Sequence, residues 1–167
     1  YTTVLFSGEP VALNGWDNKA VTGDMPYLGS GYYITVKYTG SAPLLVVQNY
    51  NIGEWNTVSP DKTENGIAYY SYESIEKACK TGYKNQIQML VSANGGSTSF
   101  SEVSVIAPNK KGDVDSSGKV QKADAALLLK HIGGAVILNA KQLEAAKMNS
   151  DDKVDMRDVI AILNNAE

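Results

Sequence analysis

Residues 112–132, GDVDSSGKVQKADAALLLKHI, constrain this chain more than any other stretch. Counted from Asp113 as place one, Asp115, Ser117 and Asp124 fall at places three, five and twelve. Gly118 falls at place six and the Lys119 carbonyl at place seven. Alternate residues of a tight loop point inward, so these oxygens converge on one point. A hard cation such as Ca²⁺ takes six to eight oxygens at roughly 2.3–2.6 Å, and this donor pattern suits it. Gly118 permits the sharp turn that most side chains resist. Val120, at place eight, is the apolar residue that can pair two such loops back to back. After Asp124 the run AALLLKHI reads as a helix.

This is the ligand spacing of an EF-hand loop, with two departures. The last ligand is Asp124 rather than Glu, and no amphipathic helix precedes the loop. Only Pro108, Asn109 and two lysines stand there, after a strand-like segment. A calcium loop with an exiting helix and no entering one resembles a dockerin, the small module that plugs enzymes into cellulosomes. A dockerin carries two such segments. Residues 147–158, KMNSDDKVDMRD followed by VIAILNN, supply a second in weakened form. In the same register Asn149 is at place three, Asp151 at five, the Lys153 carbonyl at seven and Asp158 at twelve, with Val154 at eight. Place one is Lys147, whose ammonium cannot ligate a cation. Place six is Asp152, which must take a backbone conformation that glycine takes freely, although Asp tolerates it better than most. Two readings stand for this loop. It binds calcium weakly, or the Lys147 ammonium fills the cavity and pairs with Asp151 or Asp158.

With 167 residues the chain suits one large domain or two small ones. The dockerin-like part takes residues 112–167 and a short linker 108–111. That leaves residues 1–107 for a second domain, a suitable size for a β-sandwich. Composition shifts at the same place. Every Tyr, Trp and Phe lies before Pro108, and Ala, Leu, Lys and Asp take over after it. The net charge of −3, with no basic patch, speaks against nucleic acid as a partner. No apolar run approaches a membrane span. No signal peptide is visible, and the chain opens mid-theme on Tyr1-Thr2-Thr3, as expected of a piece of a longer secreted protein. The single cysteine, Cys79, forbids an internal disulfide, a staple that bound calcium can replace.

In the first module, residues 4–7, 32–39, 44–49, 67–72, 86–92 and 100–106 read as strands by alternation and β-branched or aromatic content. Turn signals such as Asn14-Gly15, Asn65-Gly66 and Asn94-Gly95-Gly96 separate them. Residues 73–80, ESIEKACK, are the one helical candidate, capped by Ser71 or Ser74, with Ile75 and Ala78 facing the core. This pattern predicts an antiparallel, jelly-roll-like β-sandwich. The module has no histidine, which removes His-based triads, and its carboxylates are scattered. No catalytic residues are assigned, and the expectation is a non-enzyme.

Trp and Tyr set among amides and glycines stand out instead. The two clusters are LNGWDNK around Trp16 and QNYNIGEWN around Trp55. Sugars present flat C–H faces edged by hydroxyls, which aromatic rings and amide side chains complement. Trp55 is expected to be exposed, while Trp16 stays open between core and surface. Tyr50 is a third platform, with Gln48 and Asn51 as edge contacts. GWDNKAV, YYITVKY, EWNTVSP and YSYESIEKA make the module similar to the β-sandwich carbohydrate-binding modules of plant-cell-wall hydrolases. That resemblance implies a β-glucan such as cellulose, or a mannan or xyloglucan, as ligand. The alternatives are a small polysaccharide-active enzyme and a structural spacer.

The dockerin resemblance implies a partner too, the cohesin of a scaffoldin, and a secreted protein on a cell-surface cellulosome. Carried over by register, the contact face is Lys122, Ala123, Ala126, Leu129 and Lys130 in the first segment. In the second it is Met156, Arg157, Ile160, Leu163 and Asn164. Helical spacing puts each set on one stripe. The opposite stripe, Ala125, Leu128 and Ile132 with Val159 and Ile162, then packs the helices together. Residues 140–146 form a connecting helix capped by Asn139, with Leu143 inward. The paired contact residues differ, Lys122-Ala123 against Met156-Arg157, which predicts a single docking orientation.

Overall fold

The computed structural model describes residues 2–167. The chain divides into two units, Thr2–Ala107 and Pro108–Glu167.

The first unit is built from strands β1 (Thr2–Asn14), β2 (Asn18–Ala20), β3 (Tyr33–Gly40), β4 (Leu44–Asn49), β5 (Glu54–Val58), β6 (Lys62–Glu64), β7 (Ile67–Ser71), β8 (Gln88–Ser92) and β9 (Ser97–Ile106). One sheet has five strands in the order β1-β9-β3-β7-β6, and the other has four in the order β2-β8-β4-β5. Every pairing is antiparallel. The unit is therefore a sandwich whose inner faces meet. Ile34, Val36, Ala68, Tyr70, Phe100, Val103 and Val105 from the first sheet face Leu45, Val47, Val58, Met89 and Val91 from the second. Tyr70 is fully buried, and its hydroxyl is satisfied by donating to the Pro43 carbonyl at 2.6 Å.

Helix α1 (Tyr72–Ala78) follows β7 directly. Ser71 caps it by accepting from the Ser74 amide, and Ile75 is buried in the core. Asp61 braces this corner, accepting from the Ser71 amide at 2.6 Å and the Ser74 hydroxyl at 2.5 Å.

Strands β2, β5 and β6 lie outside the segments that alternation marks. In β5 the pattern is inverted, since Glu54 and Asn56 point inward while Trp55 and Thr57 point out. The inward polar groups bond to each other and to their surroundings. Glu54 accepts from the Thr81 hydroxyl at 2.6 Å and the Asn56 amide at 3.1 Å, and Asn56 also donates to the Val47 carbonyl at 3.0 Å. The Thr81 hydrogen bond leads in holding the Glu54 carboxyl down at about 2, against the opposing push of burial.

The second unit has α2 (Lys122–Ile132), α3 (Ala140–Ala146) and α4 (Met156–Asn165). Helix α2 packs on α4 around Ala125, Leu128, Val159 and Ile162, with Val114, Val120, Leu138 and Ala146 completing the core. Asn139 caps α3, and Leu143 packs against the cluster. Ile132 does not join this core. It ends α2 and is 39% exposed, because the inward stripe of the helix drifts away from α4 in its last turn.

Candidate functional site

The first loop folds its acids together. Ligand atoms of Asp113, Asp115 and Asp124 lie within 4.8 Å of one another. Backbone amides hold them there. Asp124 accepts from the Asp115 amide at 2.9 Å and the Gln121 amide at 2.7 Å, and so also caps α2. Asp113 accepts from the Ser117 amide at 2.9 Å and the Gly118 amide at 2.8 Å. The Ser117 hydroxyl sits 3.3 Å from the Lys119 carbonyl, so those two oxygens are neighbours as well. Gly118 takes φ of +88°, the left-handed turn its place requires. Burial, then the like charges of Asp115 and Asp113, push the Asp124 carboxyl up despite its amide donors. Asp115 is also pushed up by burial, but hydrogen bonds from Ser117 outweigh this and hold it below its ordinary value. Among the described residues no Lys or Arg pairs with these three acids. Crowded carboxylates with neighbouring neutral oxygens and no internal cation are a donor set that fits Ca²⁺.

The second loop is built differently. Its Asp158 is fully buried and accepts from the Met148 amide at 2.8 Å and the Asp155 amide at 3.0 Å, so the same frame is present. Asp152 takes φ of +58° at the place Gly118 holds in the first loop. The Lys147 ammonium does not pair with Asp151 or Asp158. It turns to Glu144 at 3.4 Å and Asp152 at 3.5 Å, exposed acids that pair with it without leaving water. The hydrogen bond with Glu144 is the main reason its pKa is raised. Asn149, Asp151 and the Lys153 carbonyl remain in the loop, but Asp151 is claimed by Arg157 at 2.6 Å.

On the helices, all ten residues of the register-derived contact face are exposed. Lys122, Ala123, Ala126, Leu129 and Lys130 line α2, and Met156, Arg157, Ile160, Leu163 and Asn164 line α4. Leu129, Met156, Ile160 and Leu163 are large apolar side chains left about half exposed.

On the sandwich, pairing defines the outward face of the four-stranded sheet. Gln48 pairs with Trp55 on one side and Gln88 on the other, and Val46 pairs with Thr57 and Leu90. These residues share a face because side chains alternate along each strand. Val46 and Leu90 form a buried apolar floor outside the inner core cluster, and the Gln48 amide donates to Gln88 Oε1 at 2.6 Å above them. Trp55 is 47% exposed at the edge of this floor, and Tyr50 is 64% exposed in the hairpin that leads into β5. Asn51 is exposed in the same hairpin, its amide donating to Asn49 Oδ1. Trp16 is 79% exposed, in the turn from β1 to β2. It lies in the turn that leads into the opposite edge strand of the sheet from Trp55 and is offset along the strands as well, since Asn18 pairs with Ser92 whereas Trp55 is level with Gln88. Gln88 and Thr57 were not singled out by sequence; the only signal for Gln88 is its alternation with buried Met89 in QIQML.

Residues 111–166 match the family model of the dockerin type I domain. No curated protein matches the chain. Among solved structures, a carbohydrate-binding module of endoglucanase Cel5A from Eubacterium cellulosolvens is similar with a TM-score of 0.52 and 22% identity, covering 64% of this chain and 98% of that one. A non-catalytic carbohydrate-binding module, CBM65B, covers the same shares at 26% identity and a TM-score of 0.47. The likeness to the Cel5A module is one of fold. The chain thus combines a sandwich similar in fold to a carbohydrate-binding module with a C-terminal region, residues 111–166, that matches the dockerin type I family.

Proposed function

We propose that this chain is a non-catalytic, secreted cellulosomal fragment that grips a plant cell-wall polysaccharide with its sandwich and docks a scaffoldin cohesin through a calcium-ordered helical unit. The convergence of Asp113, Asp115 and Asp124 carries this reading. Together with Ser117 and the Lys119 carbonyl, they would hold Ca²⁺. The bound ion would cancel the repulsion among the three carboxylates. Asp124 links the loop to the first turn of α2, so ordering the loop orders the helix that presents Leu129 and Lys130.

For the sugar, the outward face of β5, β4 and β8 offers Trp55 as a stacking platform, with Gln48 and Gln88 as edge contacts over a dry floor. Tyr50, Asn51 and Trp16, exposed in the turns of this unit, are the further candidates for sugar contact. Structural duties taken up by five of the sandwich's carboxylates support the non-catalytic reading. Glu54 and Asp61 brace the fold, Glu73 accepts from Ser30 and Gly31, Glu76 accepts from the Tyr83 amide, and Glu102 accepts from Ser104. No helix among the described residues is long and apolar enough to cross a membrane.

Affinity electrophoresis against β-glucan, mannan and xyloglucan tests the front half. Retardation on at least one glycan, lost in Trp55→Ala, is the expected result. No retardation on any glycan overturns sugar binding, and release of reducing sugar overturns the non-catalytic reading. Cohesin affinity measured in calcium and in excess chelator tests the rear half, and equal affinity in both refutes the calcium dependence.

A further inference from the structure

The dockerin type I match spans both loops, but the second loop does not fit the ion that the first one fits. A calcium loop starts from an oxygen ligand at place one, and here that place is the Lys147 ammonium, aimed outward at Glu144 and Asp152. The remaining side-chain donors accept loop amides as those of the first loop do, but the one at place five is also engaged by a cation. Asn149 Oδ1 accepts from the Asp151 amide at 3.1 Å, and Asp151 Oδ1 accepts from the Lys153 amide at 3.1 Å. The other oxygen of Asp151 meets Arg157 Nη2 at 2.6 Å. The same nitrogen lies 2.7 Å from Asp155 Oδ2, and Arg157 Nε lies 3.1 Å from that oxygen. The guanidinium therefore clamps two acids of the loop, at places five and nine, with a planar fork suited to carboxylates.

We propose that the second segment is a metal-free loop in which the Arg157 guanidinium takes the part of a cation, so that the whole chain binds a single calcium ion. The inference rests on the calcium reading of the first loop. It gives Arg157, which stays exposed on α4, a duty inside its own segment. It also makes the two segments respond differently to chelation. The first loop is left with three uncompensated carboxylates, whereas the second keeps its own positive charge. Removing calcium then disturbs the first loop directly, while the ion pairs of the second loop persist.

Calcium stoichiometry of the full chain, measured by isothermal titration and by elemental analysis after dialysis, decides between the cases. The expected result is one ion per chain, abolished in Asp113→Ala and kept in Asp158→Asn. Two ions per chain overturn the inference while leaving the first-loop reading intact. No ion at all overturns the first-loop reading on which both rest. Hydrogen exchange in excess chelator supplies the second readout. Residues 148–158 of the wild type should stay protected while residues 113–124 exchange. Arg157→Ala should lower protection of residues 148–158 about fivefold, the effect of losing a modest ion-pair clamp. Equal exchange of both loops in chelator, or no change in Arg157→Ala, overturns the clamp.

Discussion

Single residues carry much of this molecule's specificity. Gly118 and Asp152 occupy the same place in their loops, both at positive φ. A Cβ at the first costs energy that the second already bears, so Gly118→Ala should destabilise the C-terminal unit by about 1 kcal/mol and weaken calcium binding. A calcium titration followed by far-UV circular dichroism checks this. Glu54 supplies a pH-dependent contribution to the sandwich. Its folded pKa of about 2 lies below its ordinary 4.5, led by the hydrogen bond from Thr81. Its stabilising effect is therefore complete above about pH 4.5 and disappears as pH falls toward 2. Thermal melts of wild type and Glu54→Gln should differ at pH 6 and converge as the pH is lowered to 2. Equal separation at all pH values would refute the assignment. Burial pushes the Cys79 thiol up to about 12, so a thiol reagent at pH 8 should label the unfolded chain and spare the native one.

At the scale of elements, the helices of the C-terminal unit depend on a small shared core. Leu128 is fully buried between α2 and α4, and Leu128→Ala should cost roughly 2–5 kcal/mol. Chemical denaturation in saturating calcium measures it. Exposed Leu129 one position along should tolerate the same change with little loss of stability. Trp55 behaves similarly on the sandwich. It is half exposed on a strand whose inward residues hold it in place, so Trp55→Ala should abolish glycan retardation with only a small change in melting temperature. Elements were legible where one physical signal dominated. The strands at 33–40 and 44–49 alternate around Ile34, Val36, Leu45 and Val47, and Ser71 announces α1. Strand β5 was not, because its inward positions are Glu54 and Asn56, whose burial is possible only through partners at Val47 and Thr81. Ile132 misled for a related reason. Periodicity puts it on the apolar stripe, but only the packed position of α4 determines where that stripe stops being covered.

For the whole molecule, the division of aromatic residues gives a clean optical separation. All Trp, Tyr and Phe lie before Pro108, whereas α2, α3 and α4 lie after it. Near-ultraviolet circular dichroism therefore reports on the sandwich alone. Chelator should leave that signal unchanged while the helical far-ultraviolet signal falls in part. A change in the aromatic signal would show that the sandwich also depends on calcium.

What sequence by itself determined is what local spacing encodes. Oxygens at alternate loop positions, a glycine at the turn and an apolar residue two places on specify the Asp113–Asp124 pairing of ligand and cap within one short segment. Tertiary structure alone decided the rest. Gln48 and Gln88 meet across strands 40 residues apart. The inward turn of Glu54 depends on Thr81, 27 residues away. Even among near neighbours the packed chain decides the partners, with Lys147 taking Glu144 and Asp152 while Arg157 takes Asp151 and Asp155. Contacts between distant strands, and choices among rival ion pairs, are set by the summed free energy of the packed chain, and no local period records that sum.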